Sequence, residues 1–322
     1  MAETWTPAQT PAAVIGLGLM GRSISACLLA AGHQVVGVEN NTANRRVAAR
    51  RTESLLRQMH GEGLLARPVD AAMANFRVTG DADQTAESRI VLEAVFENPQ
   101  GKRDLVNRLE SILAPAALIG CNTSAIPISN LQEGTRRPQR ILGVHWAEPA
   151  HITRFLEIIC GQRTSPAAAK RVAGLARHWG KEPTLVRRDI RGFITNRCFY
   201  ALLREAFYLV ENGYATVADV DRSLRNDLGY WITFAGPFRF MDLTGIPAYA
   251  AVAQDLFPEL DNSTQVPASL AKLAKAGARG TANHRGFYRY TREQAQAWEK
   301  LFHDFSYEVR ALALRYPEDA GD

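Results

Sequence analysis

The stretch Ala12-Ala13-Val14-Ile15-Gly16-Leu17-Gly18-Leu19-Met20-Gly21 decides the fold. Its four leading apolar residues predict a short strand, and the glycines that follow predict a tight turn. Residues 23–31 then predict a helix stopped by Gly32, and residues 34–38 a second strand ending in Glu39. Strand, glycine turn, helix, strand and acid, in that order, make up the dinucleotide fingerprint. Gly16 permits the turn, Gly18 lets backbone approach a pyrophosphate at the positive end of the helix, and Gly21 lets helix and strand pack closely. Leu19 and Met20 complete that loop. A carboxylate at Glu39 suits the ribose hydroxyls and repels a 2′-phosphate, so NAD is expected over NADP. Arg45 and Arg46 keep a route to NADP open.

Working outward, 322 residues allow two domains of about 100–200 residues each. Apolar residues make up 46% and charged residues 22%, the balance of an ordinary globular protein. No apolar run reaches the roughly 18 residues of a membrane span. The first residues, polar and acidic, do not resemble a signal peptide. The net charge of +5 suits small anions and is too mild to imply nucleic acid. Cys27, Cys121, Cys160 and Cys198 stand singly in apolar surroundings, without metal-ligand spacing. They are expected as reduced core thiols of a cytoplasmic protein, with no metal site.

Downstream, residues 44–60 read as a charged amphipathic helix and 61–68 as a turn. Residues 76–79 and 89–95 read as strands, and a helix opens within 97–102 and runs to about Leu113. Residues 118–122 form another buried strand, which delivers Thr123 and Ser124 to its carboxyl end, where open parallel sheets bind ligands. Ser124 is placed there to donate to a ligand, or to cap a helix over 126–131. A helix over 165–179 and a strand near 184–187 close the alternation. From about residue 190 everything reads as helices broken by Gly and Pro, beginning with a long one over 193–211. The expected architecture is α/β: a Rossmann-type doubly wound sheet domain, residues 1–189, followed by an all-α domain, residues 190–322. Only the tail after Pro317 reads as loose.

Two short apolar segments, 140–146 and 155–160, carry His145 and Glu157 at corresponding ends. A neutral imidazole can take a proton from an alcohol, and a carboxylate on its far nitrogen fixes the tautomer and stabilises the imidazolium. The plain alternative is a strand-end histidine and a solvated glutamate.

Together these segments resemble the L-3-hydroxyacyl-CoA dehydrogenase family along nearly the whole chain. The motifs that carry the resemblance are 16–21, Glu93-Ala94-Val95-Phe96-Glu97-Asn98 with Lys102, Asn122-Thr123-Ser124-Ala125-Ile126-Pro127-Ile128, and His145 with Glu157. Beyond them stand Gly192-Phe193-Ile194-Thr195-Asn196-Arg197, Gly236-Pro237-Phe238 with Met241-Asp242, and Gly286-Phe287-Tyr288. The resemblance implies an NAD-dependent oxidoreductase acting on CH–OH donors. His145 would be its base and Glu157 the orienting partner, with Ser124 and Asn196 bonding the substrate oxygen and the histidine. It also implies cofactor contacts from Gly16, Gly18, Leu19, Met20, Gly21, Glu39, Ala94, Val95, Glu97, Lys102 and Asn122. For Lys102 the residue-level alternative is a solvated lysine in a helix's first turn.

The simplest substrate so implied is a (3S)-3-hydroxyacyl-CoA, which would place the chain in fatty acid metabolism. Departures from the family pattern keep a second option open. His145-Trp146-Ala147-Glu148-Pro149 replaces the usual His-Phe-Phe-Asn-Pro, and an ionised Glu148 repels an enolate or a substrate carboxylate. Gln58-Met59-His60-Gly61-Glu62-Gly63 lacks the Ser and Lys that hold coenzyme A, and the run 280–286 lacks a lysine near the cofactor. Arg154 stands where fatty-acid enzymes have lysine; it is expected beside the substrate or paired with Glu148. Leu202-Leu203-Arg204-Glu205-Ala206 and Gly229-Tyr230 point to the branch that does not use coenzyme A. That branch includes 5-formyl-3-hydroxy-2-methylpyridine 4-carboxylate 5-dehydrogenase and the L-gulonate and carnitine dehydrogenases. A remote alternative is a non-catalytic, crystallin-like protein, against which the full set Ser124, His145, Glu157 and Asn196 argues. Phe199, Leu202, Leu203, Phe207, Leu209 and Val210 fall on more than one face of one helix and need cover on several sides. A homodimer through the helical domain is therefore expected, as the family also implies.

Overall fold

The computed structural model describes residues 5–316; the first residues and the tail after Tyr316, on which two expectations rested, lie outside them. Two compact units divide between Asn196 and Arg197.

The first unit alternates strands and helices: β1 Ala12–Ile15, α1 Leu19–Ala31, β2 Val35–Val38, α2 Thr42–Gly61, α3 Val69–Met73 and β3 Phe76–Thr79. It continues through β4 Ile90–Glu93, α4 Pro99–Ile112, β5 Leu118–Cys121, α5 Ile128–Leu131 and β6 Ile141–His145. It closes with β7 Phe155–Ile159, α6 Pro166–His178 and β8 Glu182–Val186. The eight strands form one sheet, ordered β3-β2-β1-β4-β5-β6-β7-β8. All neighbours run parallel except β6 and β7, which are antiparallel. The parallel strands β1, β4 and β5 are buried throughout because helices cover both faces of such a sheet. Their side chains alternate between two apolar layers: Ala12, Val14, Ile90 and Leu92 in one, Ala13, Ile15, Val91 and Ile119 in the other. The strand order reverses between β1 and β4, so a crevice opens at their carboxyl ends beside Gly16 and Ala94.

Local chemistry explains most boundaries. Asn41, Asn98 and Ser165 cap α2, α4 and α6 through side-chain oxygens. Gly32 ends α1 in the left-handed conformation at φ +104°. The expected helix over 126–131 is shorter, and Pro127 rather than Ser124 precedes its first residue. The helix expected from residue 193 starts at Thr195. Phe193 itself has φ +52° and is 1% exposed in the sheet core. Of the four thiols, Cys27 and Cys121 are buried as expected, Cys160 is half-buried, and Cys198 is exposed.

The second unit carries α7 Thr195–Glu211, whose first two residues belong to the first unit, α8 Val217–Asn226, α9 Leu228–Ile232 and α10 Pro237–Thr244. Then come α11 Ile246–Leu256, α12 Ala268–Lys275 and α13 Arg292–Arg315. Its internal ties include Phe207 against Phe287, Trp231 stacked on Phe240 at 4.2 Å, and the Glu205 carboxylate accepting from the Asp261 amide. None of α7–α12 holds a fully buried side chain. No helix among the described residues is long and apolar enough to cross a membrane.

Behind the sheet, His33 is fully buried. Its Nδ1 bonds the Thr10 carbonyl at 2.7 Å, and its Nε2 accepts from the Trp179 indole at 2.8 Å. An indole N–H only donates, so His33 is the neutral Nδ1–H tautomer. Burial lowers its pKa to about 4. In the unfolded chain the same group protonates near 6.5. Stability is therefore intact above that value and falls on acidification between about 6.5 and 4, by roughly 1.4 kcal/mol per pH unit from this group. His33→Gln keeps a donor and an acceptor but cannot titrate. Its Tm should be flatter than wild type across that window; parallel Tm curves would clear His33 of the role.

Candidate active site

The glycine loop follows β1 because only glycine fits there. Gly16 has φ +89°, and a Cβ on it would lie 2.9 Å from the Ala94 carbonyl oxygen. A Cβ on Gly21 would lie 1.8 Å from the Gly16 carbonyl oxygen. Gly18 differs: it precedes α1, and a Cβ there would meet nothing within 4 Å. Protein packing does not demand glycine at Gly18, so the free space suits a pyrophosphate approaching the amino end of α1. Leu19 is 60% exposed at the same loop, and Met20 is half-buried.

Glu39 ends β2 and is held on both oxygens, by the Leu17 amide at 3.1 Å and the Asn41 amide at 2.9 Å. The acid is thus fixed at the glycine loop. Arg45, which left NADP open, instead donates to the Glu39 and Asn40 carbonyls, and Arg46 is exposed.

Glu97 accepts from the Thr123 hydroxyl and from the amides of Ser124 at 3.0 Å and Ala125 at 3.3 Å. It shapes the loop that carries Ser124. Lys102 corrects both readings of it, as a cofactor-lining residue and as a solvated one. Its side chain is fully buried, and the ammonium donates to both Glu93 oxygens and to the Asn122 and Val95 carbonyls. Glu93 received no role from the sequence, although an acid ending an apolar strand was visible there. Burial pushes its carboxyl up, against the Lys102 charge that pulls it down. Asn122 then receives the Trp146 amide on its side-chain oxygen at 3.1 Å. Ala94 and Val95, half-buried, close the crevice opposite Gly16.

His145 and Glu157 face each other in the antiparallel register, and His145 Nδ1 lies 2.9 Å from Glu157 Oε2. Both are buried, at 6% and 1% exposed. The second Glu157 oxygen accepts from the Ile194 and Thr195 amides at 3.1 and 3.0 Å. Burial drives this carboxyl upward, but the His145 bond and the two amides outweigh it and hold the group below its ordinary range. An ionised carboxylate only accepts, so Nδ1 bears the proton and Nε2 keeps a lone pair that can receive one. Phe155 meets the imidazole edge-on at 5.3 Å, and Phe193 lies at 5.7 Å. Neither ring was singled out in the sequence. Asn196, half-buried, donates to the carbonyl of the exposed Ser124 at 2.9 Å. Four separated motifs thus meet at the carboxyl ends of β5 and β6.

Glu148 and Arg154 are not a pair. Arg154 binds Glu182 at 2.7 Å, because the β7–β8 register places Glu182 beside it. Glu148 is exposed in the following loop; partial burial raises its pKa, while the Ala150 amide and the Arg22 charge pull it back. Lys181, absent from the sequence reading, donates to the Ala150 and Thr153 carbonyls of that loop.

A fixed acid beside a glycine loop, with a carboxylate-bound imidazole nearby, defines an NAD-dependent dehydrogenase of hydroxyl groups. Comparison with known proteins agrees. The NAD-binding domain of 3-hydroxyacyl-CoA dehydrogenase matches residues 11–190, and the C-terminal domain of the same enzymes matches residues 192–290. The chain belongs to the 3-hydroxyacyl-CoA dehydrogenase family. It is 33% identical over 288 residues to the Mesorhizobium japonicum 5-formyl-3-hydroxy-2-methylpyridine 4-carboxylate 5-dehydrogenase, covering 88% of this chain and 92% of that one. A probable 3-hydroxybutyryl-CoA dehydrogenase of Deinococcus radiodurans is 30% identical over 278 residues, 86% of this chain and 99% of the relative. A crystal structure of the pyridine-carboxylic acid dehydrogenase, described as an NAD+-dependent dismutase, superposes with TM-score 0.86 at 30% identity. It covers 94% of this chain and 97% of the other.

Bound NAD supplies the hydride acceptor in such enzymes. Three predictions follow from the geometry of this chain's own residues. Glu39→Ala should narrow the preference for NAD over NADP; a wild-type protein that binds NADP more tightly would overturn the assignment. His145→Ala should lower kcat by roughly 10²–10⁴-fold with NAD affinity unchanged. Glu157→Gln should lower kcat and move the acid limb of the pH–rate profile downward, since the imidazolium loses its counter-charge. Full activity in His145→Ala would exclude it as the base.

Proposed function

We propose that this chain oxidises a small free acid, bearing a hydroxyl or a hydrated aldehyde, with NAD and without coenzyme A. His145 takes the hydroxyl proton through Nε2, Glu157 steadies the resulting imidazolium, and Ser124 and Asn196 bond the substrate oxygen. As the proton leaves, the same carbon releases a hydride to NAD. A hydrated aldehyde presents the H–C–OH unit of an alcohol, so one set of groups serves both substrates, giving an acid from the first and a ketone from the second.

The observation that carries this reading is the occupation of the cations near the turn 58–63. Arg57 pairs with Glu53, Arg67 donates to the Leu29 carbonyl, and His60 Nδ1 faces the Leu65 carbonyl. The family's coenzyme A ligands are missing from that turn, and these neighbours are engaged elsewhere. Likeness to the pyridine-carboxylate enzyme supports a heteroaromatic substrate. Glu148, whose raised pKa reflects partial burial, favours a ring nitrogen that carries a proton. The acyl-CoA substrate, and with it a place in fatty acid metabolism, becomes the second reading.

A homodimer through the helical unit is part of the proposal. Phe199, Tyr200, Phe238 and Leu243 are between 50% and 79% exposed, apolar surface that a second copy would cover. The buried, reduced thiol of Cys121 supports a cytosolic location.

The test is NADH formation across hydroxyacyl-CoAs, their free acids and pyridine aldehydes. The highest kcat/KM is expected among the non-CoA compounds; a higher value for a hydroxyacyl-CoA would overturn the proposal. Glu148→Asn should raise kcat/KM for hydroxyacyl-CoA relative to cationic substrates, a tenfold change corresponding to about 1.4 kcal/mol. Equal effects on both classes would leave Glu148 as a loop-shaping residue.

A further inference from the structure

The turn between β6 and β7 begins two residues after His145. Residues 147–153 close on themselves: the Ile152 and Thr153 amides donate to the Pro149 carbonyl, each at 3.0 Å, and the Thr153 hydroxyl donates to the Ala147 carbonyl at 3.4 Å. The turn also reaches α1. There the Cys27 thiol donates to the Ala150 carbonyl at 3.4 Å, and the charge of Arg22 acts on Glu148. Helix α1 opens at the glycine loop. The turn therefore stands as a wall beside the space between that loop and His145.

Lys181 holds the wall from behind. Helix α6 ends in a Schellman motif, with the Gly180 amide donating to the Arg177 carbonyl and the Lys181 amide to the Ala176 carbonyl, both at 3.1 Å. Gly180 makes this possible at φ +72°. One residue further, the Glu182 amide starts β8 by donating to the Arg154 carbonyl at 2.9 Å. Pinned between helix and strand, Lys181 is 5% exposed. Its ammonium donates to the Ala150 and Thr153 carbonyls and lies 5.0 Å from the centre of the Trp146 ring. Trp146 in turn stacks on Trp179 at 5.6 Å. The cation thus makes charge-assisted bonds and a cation–π contact at once. Burying a charge is costly, so merely filling this space calls for an apolar side chain.

We propose that Lys181 is a positioning residue, which sets the 147–153 turn, and Glu148 with it, as the wall against which the substrate binds. It acts on binding and not on proton transfer, because the base has holders of its own: Glu157 fixes the imidazole, and Asn122 fixes the Trp146 amide. The inference rests on His145 as the base proposed above, and holds whether or not the substrate carries coenzyme A.

Steady-state kinetics on the full chain tests it, with whichever compound gives the wild type its highest kcat/KM. Lys181→Met keeps the length of the side chain and removes its charge and its donors. It should raise the substrate KM at least tenfold, with kcat, the pH–rate profile and the NAD Kd within threefold of wild type. Such a split is the loss of binding common to the ground and transition states. Lys181→Gln keeps a donor without the charge and should give a smaller rise of the same kind; as the milder change, it stands in if Lys181→Met does not fold. A KM within twofold of wild type in either folded variant overturns the proposal. So does a joint decline of kcat, substrate binding and NAD binding, which would make Lys181 a prop of the whole sheet end. A wrong base shows in His145→Ala, and a wrong wall only in the Lys181 variants.

Discussion

One carboxylate holds together the end of the sheet that carries His145. Glu157 binds the imidazole of His145 through one oxygen and the amides of Ile194 and Thr195 through the other. The first bond spans the single antiparallel pair in an otherwise parallel sheet. The second fixes the segment that leads into α7. Side-chain chemistry and chain path are thereby coupled, and any rotation of the carboxylate that frees the histidine also frees the amides of Ile194 and Thr195. Donated bonds to a buried charge are among the stronger ones a protein makes. That is why an ionised group is tolerable at 1% exposure.

A second buried charge supports the first from the other side. The Lys102 ammonium joins α4 to the ends of β4 and β5, and Asn122 passes that restraint to the Trp146 amide, one residue after His145. Removing Lys102 would leave Glu93 buried without a counter-charge, and removing Glu93 would leave the Lys102 ammonium only Glu97 at 3.6 Å; either change costs far more than the pair contributes. The arrangement is thus all-or-none, and its product is position: the strand ends that must surround a cofactor and a substrate carbon cannot drift apart independently.

How much of this was legible in the sequence depended on the range of the interaction. Strands β1–β5 and the glycine loop were readable because their signals are local: continuous apolar runs, glycines at fixed spacing, an acid at the next strand's end. The His145–Glu157 pair was readable because strand ends twelve residues apart in sequence invite a hairpin register. Lys102 was expected to line the cofactor, with a solvated lysine as the alternative, and only the packing of α4 on the sheet reveals the Glu93 carboxylate that it meets. Arg154 was expected beside the substrate or paired with Glu148, its neighbour in sequence. The β7–β8 register brings Glu182 closer, across a crossover that no local pattern encodes. Phe193 looked like the first residue of a helix, yet its positive φ turns the chain so that the ring enters the core and the next two amides reach Glu157.

The two units differ in how they satisfy their apolar residues, and that difference bears on assembly. The sheet unit buries its Val, Ile and Leu in two layers that each close on themselves. The helical unit has rings and branched chains on most sides of its helices but no second layer to receive them, so α7–α12 keep no side chain fully buried. A chain that leaves so much apolar surface to water loses the main force that favours folding. The internal ties of this unit, such as Trp231 on Phe240 and Glu211 on the Ser269 amide, set the arrangement of the helices without covering them.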